Sequence, residues 1–428
     1  MSKNIQSLML YTNGYNYEIL NDFIALSKKC SDSDACRAFA GSVASRILST
    51  AIEFGFKSDA WQSYITLLII TSDNVFSRCC ERRKIQDCTL TDFAMNDIKI
   101  LYDLFFYDFS EMENNVALNY FSSLKNYREN TCVSCIKFPG ASQRLNMLTS
   151  KLQMCKNADE FFDCICKFYE KYGFGNIGLN KSFRFDFTAG HISFEPVINS
   201  VITDLEDIIG YESQKQQLYA NTKAFIDCKP ANNVLLYGDS GTGKSTSIKA
   251  IADEFYEDGL RMIEVYKHQI ERLPSLISFL SQKNYRFIIY LDDLSFEETE
   301  TEYKYLKAVI DGGTQCRPEN VLVYATSNRR HLIKETWKDR ADSMSDDIHS
   351  GDTLEEKLSL ASRFGLTIYY PKPGRDEYMN IVEQLAVKNN IDIDLKTLYD
   401  KARVWEMHHG GISGRTAAQF IAYLLGNQ

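Results

Sequence analysis

The stretch Val234-Leu235-Leu236-Tyr237-Gly238-Asp239-Ser240-Gly241-Thr242-Gly243-Lys244-Ser245-Thr246 decides how the rest of the chain is read. Its first four residues are an apolar run of strand length, and Ile248 and Ile251 continue it with helical spacing. Between strand and helix, Gly238, Gly241 and Gly243 permit backbone conformations closed to residues with a Cβ. Successive N–H groups can then turn inward at a helix N-terminus, which makes a cradle for phosphate. Lys244 is expected to bring a point charge to the terminal phosphates of a triphosphate, and the Ser245 hydroxyl to take a place on Mg²⁺. Asp239, Ser240, Thr242 and Thr246 complete the expected contacts of the loop.

Further apolar runs follow at Met262–Val265, Phe287–Leu291, Val321–Ala325 and Leu366–Tyr369, separated by helical patterns. Five such strands predict an α/β fold with a parallel sheet covered on both faces, whose ligands sit at the carboxyl ends of the strands. The third strand ends in Asp292-Asp293, at the same edge as the phosphate loop. Asp292 is the expected Mg²⁺ acid, and Asp293 the group that orients or deprotonates an attacking water, with Glu297 and Glu298 as runners-up. After Pro371 and Pro373, about three helices (Asp376–Lys388, Leu395–Met407, Ser413–Leu425) suit a small lid.

All seven prolines lie at or after Pro139, so the preceding stretch has no obligatory helix breaker. Apolar positions there recur at helical spacing, as in Ile19, Phe23, Leu26 and in Ile98, Leu101, Leu104, Phe105. Helix starts are expected at Ser58-Asp59 and Thr91-Asp92, and a last helix over Ala158–Tyr172 before Gly173. Strict alternation at Phe183, Phe185, Phe187 and again at Ile192, Phe194 reads as a β-hairpin marking a boundary. The predicted organisation is a mainly α-helical interaction domain over 1–180, the hairpin and a linker over 181–203, an α/β core over 204–370 and a helical lid over 371–428.

Of 428 residues, 44% are hydrophobic and 25% charged, which excludes a disordered or low-complexity chain. The net charge of −9 argues against wholesale wrapping of nucleic acid, and the basic strings Arg82-Arg83-Lys84 and Arg329-Arg330 read as solvated faces. No apolar run approaches the roughly 20 residues of a membrane span. The opening Met1-Ser2-Lys3-Asn4 leads into neither a secretion segment nor a transit helix, so a cytoplasmic location without membrane attachment is expected. Twelve cysteines in such a chain are expected as free thiols. The Cys132/Cys135 spacing, with Cys155, Cys164 and Cys166, is weighed as a metal knuckle and set below buried thiols in a helical core.

From roughly Asp204 onward these motifs resemble an AAA+ ATPase domain. The strings P-A-N-N-V-L-L-Y-G, D-D-L-S-F-E, A-T-S-N-R-R-H-L, S-R-F-G and S-G-R-T-A are similar to a bacterial AAA+ family of unassigned function. The resemblance implies that Asn328 senses the γ-phosphate, that Arg363 is the arginine finger a neighbouring subunit inserts, and that Arg415 is the lid's second sensor. It also implies that Ile209 and Gly210, within Ile208-Ile209-Gly210-Tyr211, cradle adenine. Hydrolysis of ATP with Mg²⁺ would then drive a homo-oligomeric ring, a hexamer among the options, that remodels a protein partner recruited by the helical domain. Two departures stand out. Asp293 replaces the usual Glu and is one methylene shorter, which favours slow hydrolysis or an ATP-gated switch or scaffold. Tyr266-Lys267-His268-Gln269 lacks the glycine of protein-threading loops, so threading is disfavoured. A nucleic-acid loader or initiator-like factor is a further, less favoured alternative, because no DNA-reading helix pair follows the lid.

Overall fold

The chain divides into two units, Met1–Lys181 and Ser182–Gln428. The computed structural model describes residues 8–29, 34–82, 89–116, 119–128, 136–188, 191–197, 204–296, 300, 302–311, 318–328 and 360–427.

Among the described residues the first unit contains helices and no strand, from Tyr17–Lys29 to Gly175–Leu179. Helix Ala60–Thr71 is apolar nearly all round, and Ala60, Trp61, Ser63 through Ile70 are buried, so it runs through the core. Its start follows the expected signal: Asp59 accepts hydrogen bonds from the N–H groups of Trp61 at 2.9 Å and Gln62 at 3.0 Å. The Trp61 ring packs on Phe23 at 4.4 Å, and its indole donates to the Leu104 carbonyl at 2.7 Å. Helix Thr89–Phe105 begins two residues before the expected Thr91-Asp92. Helix Ala158–Tyr172 has the predicted bounds, stopped by Gly173 at φ 69°. The fully buried Asp97 gathers the entering chain by accepting the N–H groups of Met9 at 3.0 Å, Leu10 at 2.7 Å and Tyr11 at 3.3 Å.

Among the described residues the second unit holds one sheet of strands β1 (Ser182–Thr188), β2 (His191–Pro196), β3 (Val234–Gly238), β4 (Leu260–Glu264), β5 (Arg286–Leu291), β6 (Val321–Ser327) and β7 (Leu366–Tyr370). Their order is β2-β1-β4-β5-β6-β3-β7. The five expected parallel strands are present, but the sheet has seven strands, because the hairpin is not a detached boundary element. Strand β1 pairs antiparallel with β2 and parallel with β4, matching Ser182 to Met262, Phe183 to Ile263 and Arg184 to Glu264. Phe183 and Phe185 are buried in this arrangement, which accounts for the alternation read from the sequence.

Strand β3 is buried at Val234–Leu236 and lies between β6 and β7. The chain leaves it for strands on one side and returns to β7 on the other, so a crevice opens at its carboxyl end. The lid helices Arg375–Lys388, Leu395–His408 and Gly414–Gly426 enclose their own core around Tyr378, Val382, Leu398, Ala402, Ala417 and Phe420.

Among the described residues no helix is long and apolar enough to cross a membrane, and no group of three or more His, Cys, Asp or Glu is placed to hold a metal ion. Cys155, Cys164 and Cys166 are free thiols, while Cys132 and Cys135 lie outside the described residues.

Candidate functional site

Gly238 ends β3 at φ 141°, where a Cβ would come 2.0 Å from the Tyr370 carbonyl oxygen at the end of β7. No other residue admits that approach. Gly241, at φ 77°, lies under the lid: a Cβ there would stand 3.0 Å from Ser413 Oγ and 3.1 Å from Arg415 Cβ. The Arg415 N–H donates to the Gly241 carbonyl at 3.2 Å. Gly243, at φ 90°, precedes helix Lys244–Glu254 and has no side chain to cap it, so the first-turn N–H groups face the loop.

Lys244 is buried, and its ammonium donates to the carbonyls of Gly238 at 2.9 Å and Asp239 at 2.6 Å and to Asn328 Oδ1 at 3.1 Å. Desolvation pushes its pKa below the ordinary lysine value, against the opposing pull of Asp239, Asp293 and Asp292. The Ser245 hydroxyl donates to Asp292 Oδ1 at 2.7 Å, which joins the phosphate loop to the end of β5. Strands β5 and β6 pair Leu291 with Ala325, so the following residues, Asp292 and Thr326, stand side by side. The Thr326 hydroxyl donates to Asp292 Oδ1 at 2.6 Å and accepts the Asp293 N–H at 2.9 Å. Loss of solvation raises the Asp292 carboxyl, but hydrogen bonds from Thr326 and Ser245 help to outweigh it and hold the group below its usual pKa. Asp293 takes a left-handed backbone at φ 48°, and its Oδ1 accepts from Asn328 Nδ2 at 2.7 Å.

These residues face a cavity of about 600 Å³, within the range of small-molecule sites. Ser240 through Thr246, Asp292, Asp293, Thr326, Asn328 and Arg415 are among its lining residues. Ile208, Ile209, Ile381, Leu385 and Ala418 add an apolar wall to the same cavity, with Ile208 against the loop: a Cβ on Gly243 would come 3.3 Å from its Cγ2. Gly210, Gly238 and Asp239 stand off this wall; Gly210 sits at φ 81° between two lining residues, Ile209 and Tyr211. Arg363 is not brought into the cavity either, and forms an ion pair with Asp311.

Nothing in the sequence marks Ile381, Leu385 and Ala418 as cavity residues, because the lid patterns indicate a helical core without showing which turn reaches the cavity. Thr326 lies in the A-T-S-N string, where the resemblance gives a role to Asn328 alone, and its place beside Asp292 follows from the β5–β6 register. Tyr266 is exposed and precedes the 3-10 helix Lys267–Arg272, in place of a glycine-bearing loop. Glu297, Glu298, Arg329 and Arg330 lie outside the described residues.

The donors converging at Ser245 and Asp292 are hydroxyl and carboxylate oxygens, with the carboxyl held ionised. That set fits Mg²⁺, a hard cation bound by one or two carboxylates and hydroxyl groups.

Among known proteins, a proteasome-activating nucleotidase from Methanosarcina mazei is 25% identical over 230 residues, covering 47% of this chain and 50% of the relative. The magnesium-chelatase subunit ChlI of Olisthodiscus luteus is 29% identical over 218 residues, covering 49% of this chain and 62% of the relative. The chain thus spans half to three fifths of the length of these two relatives. A solved structure of a Thermotoga maritima RuvB variant aligns over 51% of this chain and 64% of its own at 17% identity and a TM-score of 0.36. Residues 179–428 match the family model described as "Protein of unknown function (DUF815)". With more than half of its length in that match, the chain belongs to this family, and its second unit is an AAA+ P-loop domain of unassigned function.

Proposed function

We propose that the chain binds Mg-ATP in this cavity, hydrolyses it, and couples the cycle to assembly of a ring and remodelling of a protein partner bound through the helical unit. The observation that carries the reading is the 2.7 Å hydrogen bond from Ser245 to Asp292, which joins the loop that would hold phosphate to the acid that would hold its counterion. The name of one similar protein, a proteasome-activating nucleotidase, supports a nucleotide-driven activity.

In this reading the N–H groups of the loop and the Lys244 ammonium bind the phosphates, and the apolar wall of Ile208, Ile209, Ile381, Leu385 and Ala418 takes the adenine ring. Ser245 and Asp292 would hold Mg²⁺, which supplies charge neutralisation at the phosphate oxygens. Asp293 orients the attacking water and accepts its proton, while Asn328 fixes the carboxylate and faces the terminal phosphate. Arg415 ties the lid to the loop. Arg363, placed away from its own cavity, serves the site of a neighbouring copy as an arginine finger, once released from Asp311.

A second reading, an ATP-gated switch or scaffold with negligible turnover, is favoured by one observation: an oxygen of the short acid Asp293 is already engaged by Asn328. ATP turnover per subunit, measured across a wide protein concentration range, separates the two. The motor reading expects activity to climb as the interface forms, Lys244→Ala to lose ATP, Asp293→Asn to retain it unhydrolysed, and Arg363→Ala to bind ATP but stay inactive. Turnover unchanged in both Lys244→Ala and Asp293→Asn overturns the motor. Flat, near-zero activity in wild type that still binds ATP tightly leaves the switch.

A further inference from the structure

Thr326 makes three hydrogen bonds to three consecutive residues at the end of β5. Its hydroxyl donates to Asp292 Oδ1 at 2.6 Å and accepts the Asp293 N–H at 2.9 Å, and its carbonyl accepts the Leu294 N–H at 2.7 Å. A hydroxyl has one donor and two acceptor positions, so this one is directed: its proton must lie toward the carboxylate, because the amide occupies an acceptor position. The residue is 2% exposed, so water does not compete for these bonds. The turn it holds includes Asp293 at φ 48°, a left-handed conformation that a non-glycine residue keeps only where its surroundings impose it. Thr326 is the imposing group, through both its hydroxyl and its carbonyl.

The bonds also close a circuit. Ser245 reaches Asp292, Asp292 reaches Thr326, Thr326 holds the Asp293 backbone, Asp293 accepts from Asn328, and Asn328 accepts from Lys244, the neighbour of Ser245. Within that circuit Thr326 is the one side chain bonded to both acids.

Resting on the ATPase reading, we infer that Thr326 is a positioning residue that sets both acids at once: it aims the Asp292 carboxylate toward the cation and fixes the backbone from which Asp293 addresses water. The inference separates the hydroxyl from the size of the side chain. Thr326→Val keeps the shape and the backbone carbonyl bond but removes the two hydroxyl bonds, whereas Thr326→Ser keeps all three and removes a methyl group.

The test uses the full chain, wild type and both variants, with two readouts. Mg²⁺ is titrated into protein saturated with ADP, and kcat and KM for ATP are measured separately. Groups that orient a metal ligand typically cost about 10- to 100-fold in metal affinity or activity. Thr326→Val should weaken Mg²⁺ uptake and lower kcat by about that range while leaving ADP affinity without Mg²⁺ and KM within about twofold, and Thr326→Ser should restore both. Should the valine variant not fold, Thr326→Ala takes its place against the serine. A valine variant that takes up Mg²⁺ and turns over like wild type, or a serine variant that falls as far as valine, overturns the inference while the ATPase reading stands. Wild type that binds no nucleotide overturns both.

Discussion

Asp97 in the helical unit and Asp292 in the α/β unit are both carboxylates with several donors arranged around them, yet they are used in opposite ways. Asp97 is fully buried and its partners are backbone N–H groups of Met9, Leu10 and Tyr11, so its hydrogen bonds are spent inside the fold. Asp292 takes hydroxyl donors from two other elements, and it lines the cavity. The first arrangement closes a chain onto a helix; the second holds a charge where a ligand can meet it. A carboxylate's count of hydrogen bonds therefore does not separate structure from function, whereas the element that supplies the donors and the space left in front of the acid do.

The largest effect that tests this contrast should come from Asp97→Ala. Losing a charged acceptor for three backbone N–H groups is expected to cost roughly 3 kcal/mol. Hydrogen exchange of helix Ala60–Thr71 should accelerate accordingly while nucleotide affinity stays as in wild type. Normal exchange would break the comparison by showing Asp97 to be dispensable. A smaller change is expected for Asp59→Ala, which removes the N-cap of that same helix and should cost about 1 kcal/mol by denaturant unfolding, again without effect on binding.

The smallest stability change sharpens the comparison from the other side. Because the pKa of Lys244 is depressed, the folded chain holds this proton less well than the unfolded chain. Its charge thus opposes folding at neutral pH, and that penalty is relieved as pH rises through the folded pKa toward the ordinary value of 10.5. Lys244→Ala should lose nucleotide binding yet melt no lower than wild type near pH 7, and its melting temperature should lack the relative gain that wild type shows on going alkaline. A melting temperature that falls sharply at pH 7 would make Lys244 a structural residue like Asp97.

How much could be read in advance depended on how local each feature is. The phosphate loop is contiguous, so motif and fold class were legible together, although the groups that Gly238 and Gly243 approach, Tyr370 and Ile208, lie far along the chain. Helix Ala158–Tyr172 was equally legible, since both of its end signals lie in its own sequence. The attachment of the hairpin was not, because parallel pairing brings Ser182 beside Met262 across a long stretch of chain that includes the loop itself. The apolar wall given by Ile381, Leu385 and Ala418 depends on how the lid folds back, and the ion pair of Arg363 with Asp311 joins two segments that share no pattern. Thr326 is the intermediate case: the residue was in view, but its bonds exist only in the register of β5 against β6.

The attachment of β1 has a mechanical meaning. Helix Gly175–Leu179 and β1 are separated in sequence by two residues, Asn180 and Lys181. A force applied at Ser182 along the strand axis falls on the three pairs that bind β1 to β4 and the six that bind it to β2. Loaded in this direction, the bonds share the strain in shear rather than opening one after another like a zipper.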